Sequence, residues 1–598
     1  MSVERETFFS FSCILRNLTY FIALFFIITP SAYSNGELTA NFSKNDHTAD
    51  TGVSIFGKDM VVLDQIVTIL PMETIPVQIT KQQIPIGSQF LVIQAHAHNF
   101  NLTISYNRTL LPHYHVNGTN IGLVVPVTSS PLSDVYEVYV TNFNISRNVS
   151  ALIAAVAYGM NVPVPGGCNM VFPIEISPFL GISYDKIVVR VDLQAASSPS
   201  IFESCEYSSV ELEMYHSFLP ERDYTPSTYF RQIRRMLTVD RIKSNGVKVN
   251  DPLEGASMRR VFAAYTGTGS AYGIVAVYEE NGKRYESAYI PAVTYACSTV
   301  LWADTCQVLT TTFAKVVCAV LFFMGLFLCL CGHMFFQSQI FIHTFLSGAF
   351  VSILILDPYL QLGLYPASIC FGLGLAFICV IFWKICALPF FHIILISLNV
   401  GVLLASIAFF AGLGDVDLMD SDINFWVAFG VFVLSAPSVL VYLSHKACIV
   451  ASGVLGAYAV IVPIDHYIGS NLKYIILNTI RRAIAPEFRT AVISPPFQFK
   501  DLTLTVVWFT LSVVGISMQL FLQRASPPFP PPPRDACGFF KWCCPDRSAN
   551  RIPDERTPLL VDARIPRRTP PEGYDDVFEP TLRPSAPHII YAPTYNAA

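Results

Sequence analysis

The chain has 598 residues and a formal net charge of −5, and 52% of its residues are hydrophobic while only 14% are charged. Soluble globular domains carry roughly 25% charged residues, so the composition argues against a soluble enzyme. The sequence also contains no long basic stretch, which is the electrostatic footprint of nucleic-acid binding. We therefore expect no nucleic-acid partner and interpret the chain as a membrane protein.

The N-terminus has the layout of a secretory signal. Arg16 precedes an apolar stretch at residues 20–29, and a small-residue pattern at residues 32–34 follows it. This layout predicts cleavage after Ser34, so residues 1–34 are interpreted as a signal peptide. An uncleaved anchor is the alternative, although the apolar stretch is short for a membrane span. Under both interpretations the chain that follows is exported.

Glycosylation sequons cluster in the first part of the exported segment. Asn-x-Ser/Thr sequons in an exported chain are acceptors for N-linked glycans on surface loops. The cluster therefore predicts a glycosylated luminal or extracellular surface. The six predicted acceptors are Asn41, Asn101, Asn107, Asn117, Asn144 and Asn148.

The exported region contains four cysteines, an even set that predicts disulfides in an oxidising compartment. Spacing alone allows three pairings. We predict Cys168 with Cys205 and Cys297 with Cys306. The second bridge would then lie close to the first membrane helix.

The dominant period of the exported region is two, which is typical of β-strands. A Pro/Gly break at residues 163–167 divides it, so we predict two tandem β-sandwiches, residues 35–162 and 163–308; a single larger jelly roll is the alternative. An Asn-Gly pair at residues 281–282 predicts a type I′ hairpin, and a short helix is predicted at residues 228–237. The predicted strands are residues 61–70, 90–98, 122–127, 135–140, 152–158, 187–193 and 273–278.

Two histidine pairs in the first β domain are spaced i, i+2, so each pair would share one face if its segment is a strand. The pairs are His96 with His98 and His113 with His115. Imidazole binds zinc and copper, which makes these residues weak metal candidates. A solvated strand face is the alternative, and we predict no bound metal or other cofactor.

From residue 309 to residue 522 the chain is almost continuously apolar and divides into seven runs, each close to the ~20 residues that a helix needs to cross a bilayer. Backbone groups cannot be left unpaired in lipid, so we predict an all-α bundle of seven transmembrane helices. With an exported N-terminus, seven spans place the C-terminus in the cytosol. The predicted spans are residues 316–336, 340–356, 362–386, 389–413, 425–443, 447–468 and 502–522.

The loop between the sixth and seventh spans conflicts with this orientation, because it is basic and the positive-inside rule places such loops in the cytosol. Residues 472–484 are amphipathic and are predicted to lie along the membrane interface. A re-entrant segment is the alternative topology, and residues 340–356 are the shortest candidate. The basic residues of the loop are Lys473, Arg481, Arg482, Arg489 and Lys500.

Ionisable residues inside the apolar runs are functional candidates by default, because they are costly in lipid. They raise the alternatives of an intramembrane metal-dependent hydrolase or of a transporter or channel. No span carries two histidines one helical turn apart, a frequent arrangement of zinc ligands, and we expect these groups to reach water near the span ends. We therefore predict a non-enzyme. The residues are Lys315, His343, Lys384, His392, Asp465 and His466.

The tail, residues 523–598, is Pro-rich and polar and is predicted to be unfolded. Cys537, Cys543 and Cys544 follow the last span closely and are candidate palmitoylation sites. Further on, Glu555, Leu559 and Leu560 form an acidic dileucine pattern of the kind that cytosolic clathrin adaptors bind, and a weaker tyrosine-based pattern starts at Tyr574. These patterns predict traffic between the plasma membrane and endolysosomal membranes.

Several segments in order along the chain resemble the transmembrane 7 superfamily member 3 family. They are residues 215–221, 287–298, 330–333, 474–483, 496–498 and 555–560. Residues 35–160 match the family less closely, and here about forty residues follow the dileucine segment, which in the family lies at or near the end.

The resemblance implies a seven-pass protein that supports cell survival, attenuation of endoplasmic-reticulum stress and protein homeostasis. We accordingly expect a glycosylated membrane protein of receptor or accessory type. Its expected partners are the lipid bilayer, an unknown extracellular or luminal protein ligand and the clathrin adaptors.

Overall fold

The computed structural model describes residues 59–127, 134–199, 205, 209–249, 258–299, 306, 312–356, 364–386, 388–443 and 446–524. Within them an ectodomain of β-sheets precedes a bundle of apolar helices. The predicted signal peptide and most of the predicted tail lie outside the described residues.

The first β domain consists of two antiparallel four-stranded sheets, in the orders β1-β8-β3-β6 and β2-β7-β4-β5. Apolar side chains from both sheets fill the space between them, including Leu91, Ile93 and Val140. The strands are β1 (Met60–Ile69), β2 (Thr74–Thr80), β3 (Phe90–Ala97), β4 (Leu102–Ser105), β5 (His115–Gly118), β6 (Asn120–Pro126), β7 (Val135–Thr141) and β8 (Val149–Tyr158).

Strand β8 is buried on both faces, and this explains its nearly unbroken apolar sequence. Successive side chains of a strand point to opposite faces. Ile153 and Ala155 accordingly face the core of the first domain. Leu152 and Ala154 belong instead to a cluster with Ile233 of the second domain. The two β domains therefore share a packed apolar interface.

The second β domain contains a sheet in the order β14-β13-β16-β17, in which β18 also pairs with β16, and the smaller sheets β10-β11-β15 and β12-β9. Two short helices, α1 (Pro226–Arg234) and α2 (Val239–Asn245), lie in its sequence. The strands are β9 (Val164–Cys168), β10 (Gly181–Tyr184), β11 (Val188–Asp192), β12 (Ala195–Ser197), β13 (Glu211–Phe218), β14 (Val247–Lys248), β15 (Arg259–Ala263), β16 (Ser270–Glu280), β17 (Lys283–Ala288) and β18 (Ala292–Thr294).

The local predictions for the ectodomain are confirmed. All seven predicted strands are present. In the predicted hairpin Asn281 and Gly282 have φ angles of 53° and 72°, the positive values that a type I′ turn requires. Both predicted disulfides form, Cys168–Cys205 and Cys297–Cys306.

Seven helices of the described chain are long and apolar enough to cross a membrane. The first ends earlier than predicted, because a 3-10 turn (Gly332–Met334) separates it from a second helix that begins at Phe336. That second helix has 21 residues, which is long enough to cross a bilayer and favours a full span over the re-entrant alternative. The helices are α3 (Thr312–Cys331), α4 (Phe336–Leu356), α5 (Leu364–Cys386), α6 (Pro389–Phe410), α7 (Asp422–Leu443), α8 (Ala447–Ile468) and α10 (Phe499–Gln523).

Small residues set the closest helix contacts. A Cβ on Gly456 of α8 would lie 2.6 Å from the backbone nitrogen of Cys329 on α3, and one on Gly401 of α6 would lie 2.1 Å from the carbonyl oxygen of Val433 on α7. Both distances are shorter than any van der Waals contact, so only glycine allows these backbones to approach so closely.

Candidate functional site at the junction of the ectodomain and the bundle

The loop between α8 and α10 contains a further helix, α9 (Tyr474–Ile484), which lies between the bundle and the second β domain. On its bundle side the Thr479 hydroxyl is 3.0 Å from the Ser406 hydroxyl on α6. On its ectodomain side Tyr474 packs edge-on against Tyr265, with ring centroids 5.0 Å apart. We call the contacts between residues 465–501 and the second β domain the junction.

Arg481 is the central side chain of the junction. It is 8% exposed, and its guanidinium donates to the carbonyl oxygens of Ala264 (3.0 Å) and Lys186 (2.7 Å), both in the second β domain. It also lies over the Tyr474 ring, 4.8 Å from the centroid. The planar fork of arginine carries several donors at fixed angles, so one side chain joins two ectodomain segments to α9.

Beyond α9 the loop extends a sheet of the second β domain. Val492 forms a parallel bridge with Phe262 of β15. The Ala263 amide donates to the Val492 carbonyl at 2.9 Å, and the Val492 amide donates to the Val261 carbonyl at 3.0 Å. The Tyr265 hydroxyl donates to the next carbonyl, that of Ile493. Backbone pairing of this kind fixes the register of the loop against the sheet.

A second polar group lies where α10 begins. Asn471 donates its amide to Asp501 (2.6 Å) and its side-chain nitrogen to Glu221 of the ectodomain (3.4 Å). Gln498 accepts from the Glu221 amide and donates to the Leu219 carbonyl. Burial, together with the adjacent Asp501 carboxylate, raises the pKa of Glu221 to about 8, although the Lys500 ammonium opposes the shift.

The ectodomain also covers the end of α8. The Arg222 guanidinium donates to the carbonyl oxygens of Tyr467 (2.9 Å) and His466 (3.3 Å). Terminal carbonyls of a helix have no partner within it and carry partial negative charge. In the same last turn of α8, the buried Asp465 carboxylate accepts from the Lys473 ammonium at 3.1 Å. An ectodomain arginine therefore caps a membrane helix directly.

On the bundle side, Arg482 is buried and donates to the Met419 carbonyl at 2.6 Å, and it lies over the Phe425 ring. Burial lowers its pKa from the ordinary arginine value. The Asp415 carboxylate accepts from the amides of Ile493 (2.5 Å) and Ser494 (2.9 Å), and burial raises its pKa. These contacts attach the same loop to the turn that follows α6.

These contacts account for the basic composition of the loop, because each of its five basic residues has an acceptor within the protein. Arg489 pairs with Asp422 at 2.8 Å, and Lys500 with Glu221 at 3.5 Å; the partners of the other three are given above. Helix α9 confirms the predicted amphipathic segment, but it packs beneath the ectodomain, and Arg481 and Arg482 are both buried.

Comparison with known proteins identifies the family of the chain. Transmembrane 7 superfamily member 3 of Mus musculus is 31% identical over 461 residues, covering 74% of this chain and 80% of the relative. The Homo sapiens protein of that name is 29% identical over 459 residues, with the same coverage. The chain belongs to the transmembrane 7 superfamily member 3 family.

Family models match along the chain as well. They are described as the TM7SF3-like N-terminal immunoglobulin-like domain (residues 64–158), the TM7SF3-like second immunoglobulin-like domain (residues 163–300) and the TM7S3/TM198-like domain (residues 318–520). The first match extends the family assignment to residues 64–158, a part of the chain that resembles the family less closely.

Three of the segments that carry the resemblance to this family converge at the junction. Residues 215–221 supply Glu221, residues 474–483 supply Arg481, and residues 496–498 supply Gln498. Sequence reasoning did not predict the contacts of Glu221, Asn471 and Asp501. A usable signal was present, because Asp465 and Asp501 flank a loop rich in lysine and arginine.

The histidine pairs of the first β domain do not form the predicted arrangement. His96 is fully buried rather than on a solvated face, between Asn120 (2.9 Å) and Gln94 (3.0 Å), and burial lowers its pKa to about 4. His98 follows the end of β3, and His113 precedes β5 with a φ angle of 66°, so only His115 of that pair lies in a strand. The described residues contain no cluster of three or more potential metal ligands.

Two intramembrane histidines also depart from expectation. His343 on α4 and His392 on α6 were expected to reach water, but they are 0% and 4% exposed. Their ring centroids lie 6.1 Å apart. They come from different helices, so no spacing of histidines within one helix indicates the pair.

Among the predicted glycosylation sites, Asn101, Asn107, Asn117 and Asn148 are exposed and Asn144 is partly buried. Asn101 and Asn117 line a cleft of about 550 Å³ between the two β domains. Asn41 lies outside the described residues. The same holds for the palmitoylation candidates Cys537, Cys543 and Cys544, for the dileucine residues Glu555, Leu559 and Leu560, and for Tyr574.

Proposed function

We propose that this seven-span protein acts as a receptor or accessory protein whose ectodomain and membrane helices work as one mechanical unit. In this proposal the ectodomain is extracellular or luminal and the tail is cytosolic. The tail controls passage between the plasma membrane and endolysosomal membranes through clathrin adaptors that bind Glu555, Leu559 and Leu560.

The junction is the observation that supports this proposal. Separating the ectodomain from the bundle would break the hydrogen bonds of Arg481, Glu221 and Asn471 together. Polar groups that stay buried without a partner are costly, so the separation is unfavourable. Buried hydrogen-bond networks of this kind favour a single arrangement of the segments that they join. A force on the second β domain would consequently be transmitted to α8 and α10, which flank the loop.

The cellular role that we propose follows from the family: support of cell survival, attenuation of endoplasmic-reticulum stress and protein homeostasis, without catalysis. A protein ligand in the extracellular or luminal space is the proposed partner. The cleft between the β domains is concave and is bordered by β5 and β10, which lie at the edges of their sheets. Strand edges of this kind are common recognition surfaces for extended peptides.

Orientation is tested by protease protection on sealed vesicles, with one epitope after Asn35 and one after Ala598, combined with glycosidase treatment. We expect the N-terminal epitope to be protected and glycosylated and the C-terminal epitope to be digested. Protection of both epitopes would require an even number of spans and would remove the tail from clathrin adaptors.

Function is tested in cells that lack the protein, challenged with an inhibitor of the endoplasmic-reticulum calcium pump. Wild-type chain should restore survival and reduce the stress response, Arg481→Ala should do so less well, and Arg489→Ala, which changes an exposed basic residue of the same loop, should match wild type. Equal rescue by all three chains at equal expression would contradict a role for the junction.

The intramembrane hydrolase and the transporter or channel remain the alternative functions. A transporter or channel would produce ion or solute flux in liposomes that contain only the purified chain. A metal-dependent hydrolase would lose a measurable hydrolytic activity after metal removal. Either result would replace the receptor proposal.

A further inference from the structure

The paired histidines in the half of the bundle away from the ectodomain form a defined structural feature. His343 and His392 lie on neighbouring helices, their ring planes are inclined by 45°, and neither ring is more than 4% exposed. The Asn399 side chain on α6 donates to the His343 carbonyl at 3.1 Å. This bond joins α4 to α6 and holds the two rings in their relative position.

The ring nitrogens of this pair are polar atoms buried inside the bundle. A neutral imidazole has one N–H donor and one acceptor nitrogen. All four nitrogens of the pair are buried and lack a partner within the described part of the chain. Buried polar atoms are nearly always paired, so the pair has the character of a binding site.

We propose that His343 and His392 bind a single Cu(I) ion between them. Metal–imidazole nitrogen bonds are about 2.0–2.1 Å long. When the distance from each nitrogen to its ring centroid is added on both sides of the ion, the two centroids lie roughly 6 Å apart in a bent or linear site. The separation of 6.1 Å matches this value. Imidazole is a suitable ligand for copper, and a monovalent ion with a filled d shell accepts two neutral nitrogen ligands.

The charge of the surroundings favours a monovalent ion over a divalent one. Helices α4, α5 and α6 contain no aspartate or glutamate, so these helices offer no carboxylate to neutralise the bound cation. The Born cost of burying an ion grows with the square of its charge, so Zn²⁺ would cost about four times as much as Cu(I).

Aromatic packing fixes the position of the His392 ring. The Phe336 ring lies edge-to-face with His392, with centroids 5.0 Å apart, and packs in turn against Trp383 with centroids 4.6 Å apart. A metal ligand must be held in a fixed orientation by its neighbours, and this packing provides that support for His392.

The test uses the full chain, purified in detergent under anaerobic conditions, after its accessible thiols have been alkylated. Cu(I) is added against a chromogenic Cu(I) chelator, and the retained metal is counted. We expect about one ion per wild-type chain and almost none for His343→Gln or His392→Gln. The matched control is His333→Gln, a buried histidine at the same end of the bundle, which should retain the ion.

X-ray absorption of the loaded wild-type chain gives a measurement that does not depend on the variants folding. A first shell of two nitrogens supports the proposal. A sulfur-containing shell, retention of Cu(I) by both folded glutamine variants, or no binding by wild type would each overturn it. Binding of Zn²⁺ at this pair without binding of Cu(I) would also overturn it, because the charge argument would then be wrong.

Discussion

Replacing Arg481 with alanine tests whether the junction is held by charge-assisted hydrogen bonds. The change would leave the carbonyl oxygens of Ala264 and Lys186 without their donor. Each unpaired buried carbonyl costs about 1–3 kcal/mol, and the lost contact with the Tyr474 ring adds about 1 kcal/mol. We therefore expect the junction to open more easily by about 3–7 kcal/mol, or roughly 10²–10⁵-fold.

Amide hydrogen exchange on the purified full chain measures this opening directly, because the amides of Ala263 and Val492 donate across the junction. Both amides should lose protection in Arg481→Ala, while the amides of β3, inside the first β domain, should keep theirs. Arg481→Lys keeps the charge but not the fork, so its effect should be intermediate.

The matched control is Arg489→Ala. Arg489 lies in the same loop but its side chain is 46% exposed, with one ion pair to Asp422, and exposed pairs contribute only about 0–1 kcal/mol. If Arg481→Ala and Arg489→Ala changed the protection of Ala263 and Val492 equally, the buried network would not be what holds the junction together.

Three further predictions concern the junction, the bundle and the Cys297–Cys306 disulfide. Burial raises the pKa of Glu221 from 4.5 to about 8, so the junction should be strongest below pH 4.5 and weaken as the pH rises through about 8. Amide hydrogen exchange, corrected for the pH dependence of the intrinsic rates, measures this change, and Glu221→Gln should remove it. Gly401→Ala should destabilise the detergent-solubilised bundle by about 1–3 kcal/mol, whereas Gly374→Ala, whose Cβ would meet nothing within 4 Å, should be neutral. Peptide mapping without reduction should recover Cys297 linked to Cys306, and a link to any other cysteine would contradict the structure.

Local features of the fold were predictable from the sequence, whereas features that depend on distant residues were not. The turn at Asn281 and Gly282 was predictable, because two adjacent residues favour positive φ angles whatever surrounds them. The seven spans were predictable because the hydrocarbon thickness fixes the length of a helix. Boundaries were less certain, as the first span shows: the apolar run continues past residue 331, but the helix ends there in a 3-10 turn whose His333 amide donates to the Gln519 side chain of α10.

Predictions for single polar residues were the weakest. His96 alternates with His98 along the sequence, yet it is buried beside Asn120, because the second β domain covers that face of the sheet. His343 and His392 were interpreted separately as residues near water, since nothing in either helix indicates that the two rings meet. The two ectodomain carbonyls that accept from Arg481 lie more than 200 residues away in the sequence.

The sequence by itself determined the order of the parts: a β-rich ectodomain, seven apolar helices long enough to cross a membrane and a polar tail. Each of these follows from short-range periodicity, from turn chemistry or from the thickness of a bilayer, and none needs a distant partner. The tertiary structure decided how the basic loop is accommodated. Its charges are distributed among carbonyls and carboxylates of the ectodomain and the bundle, and such pairing exists only when distant segments fold against each other.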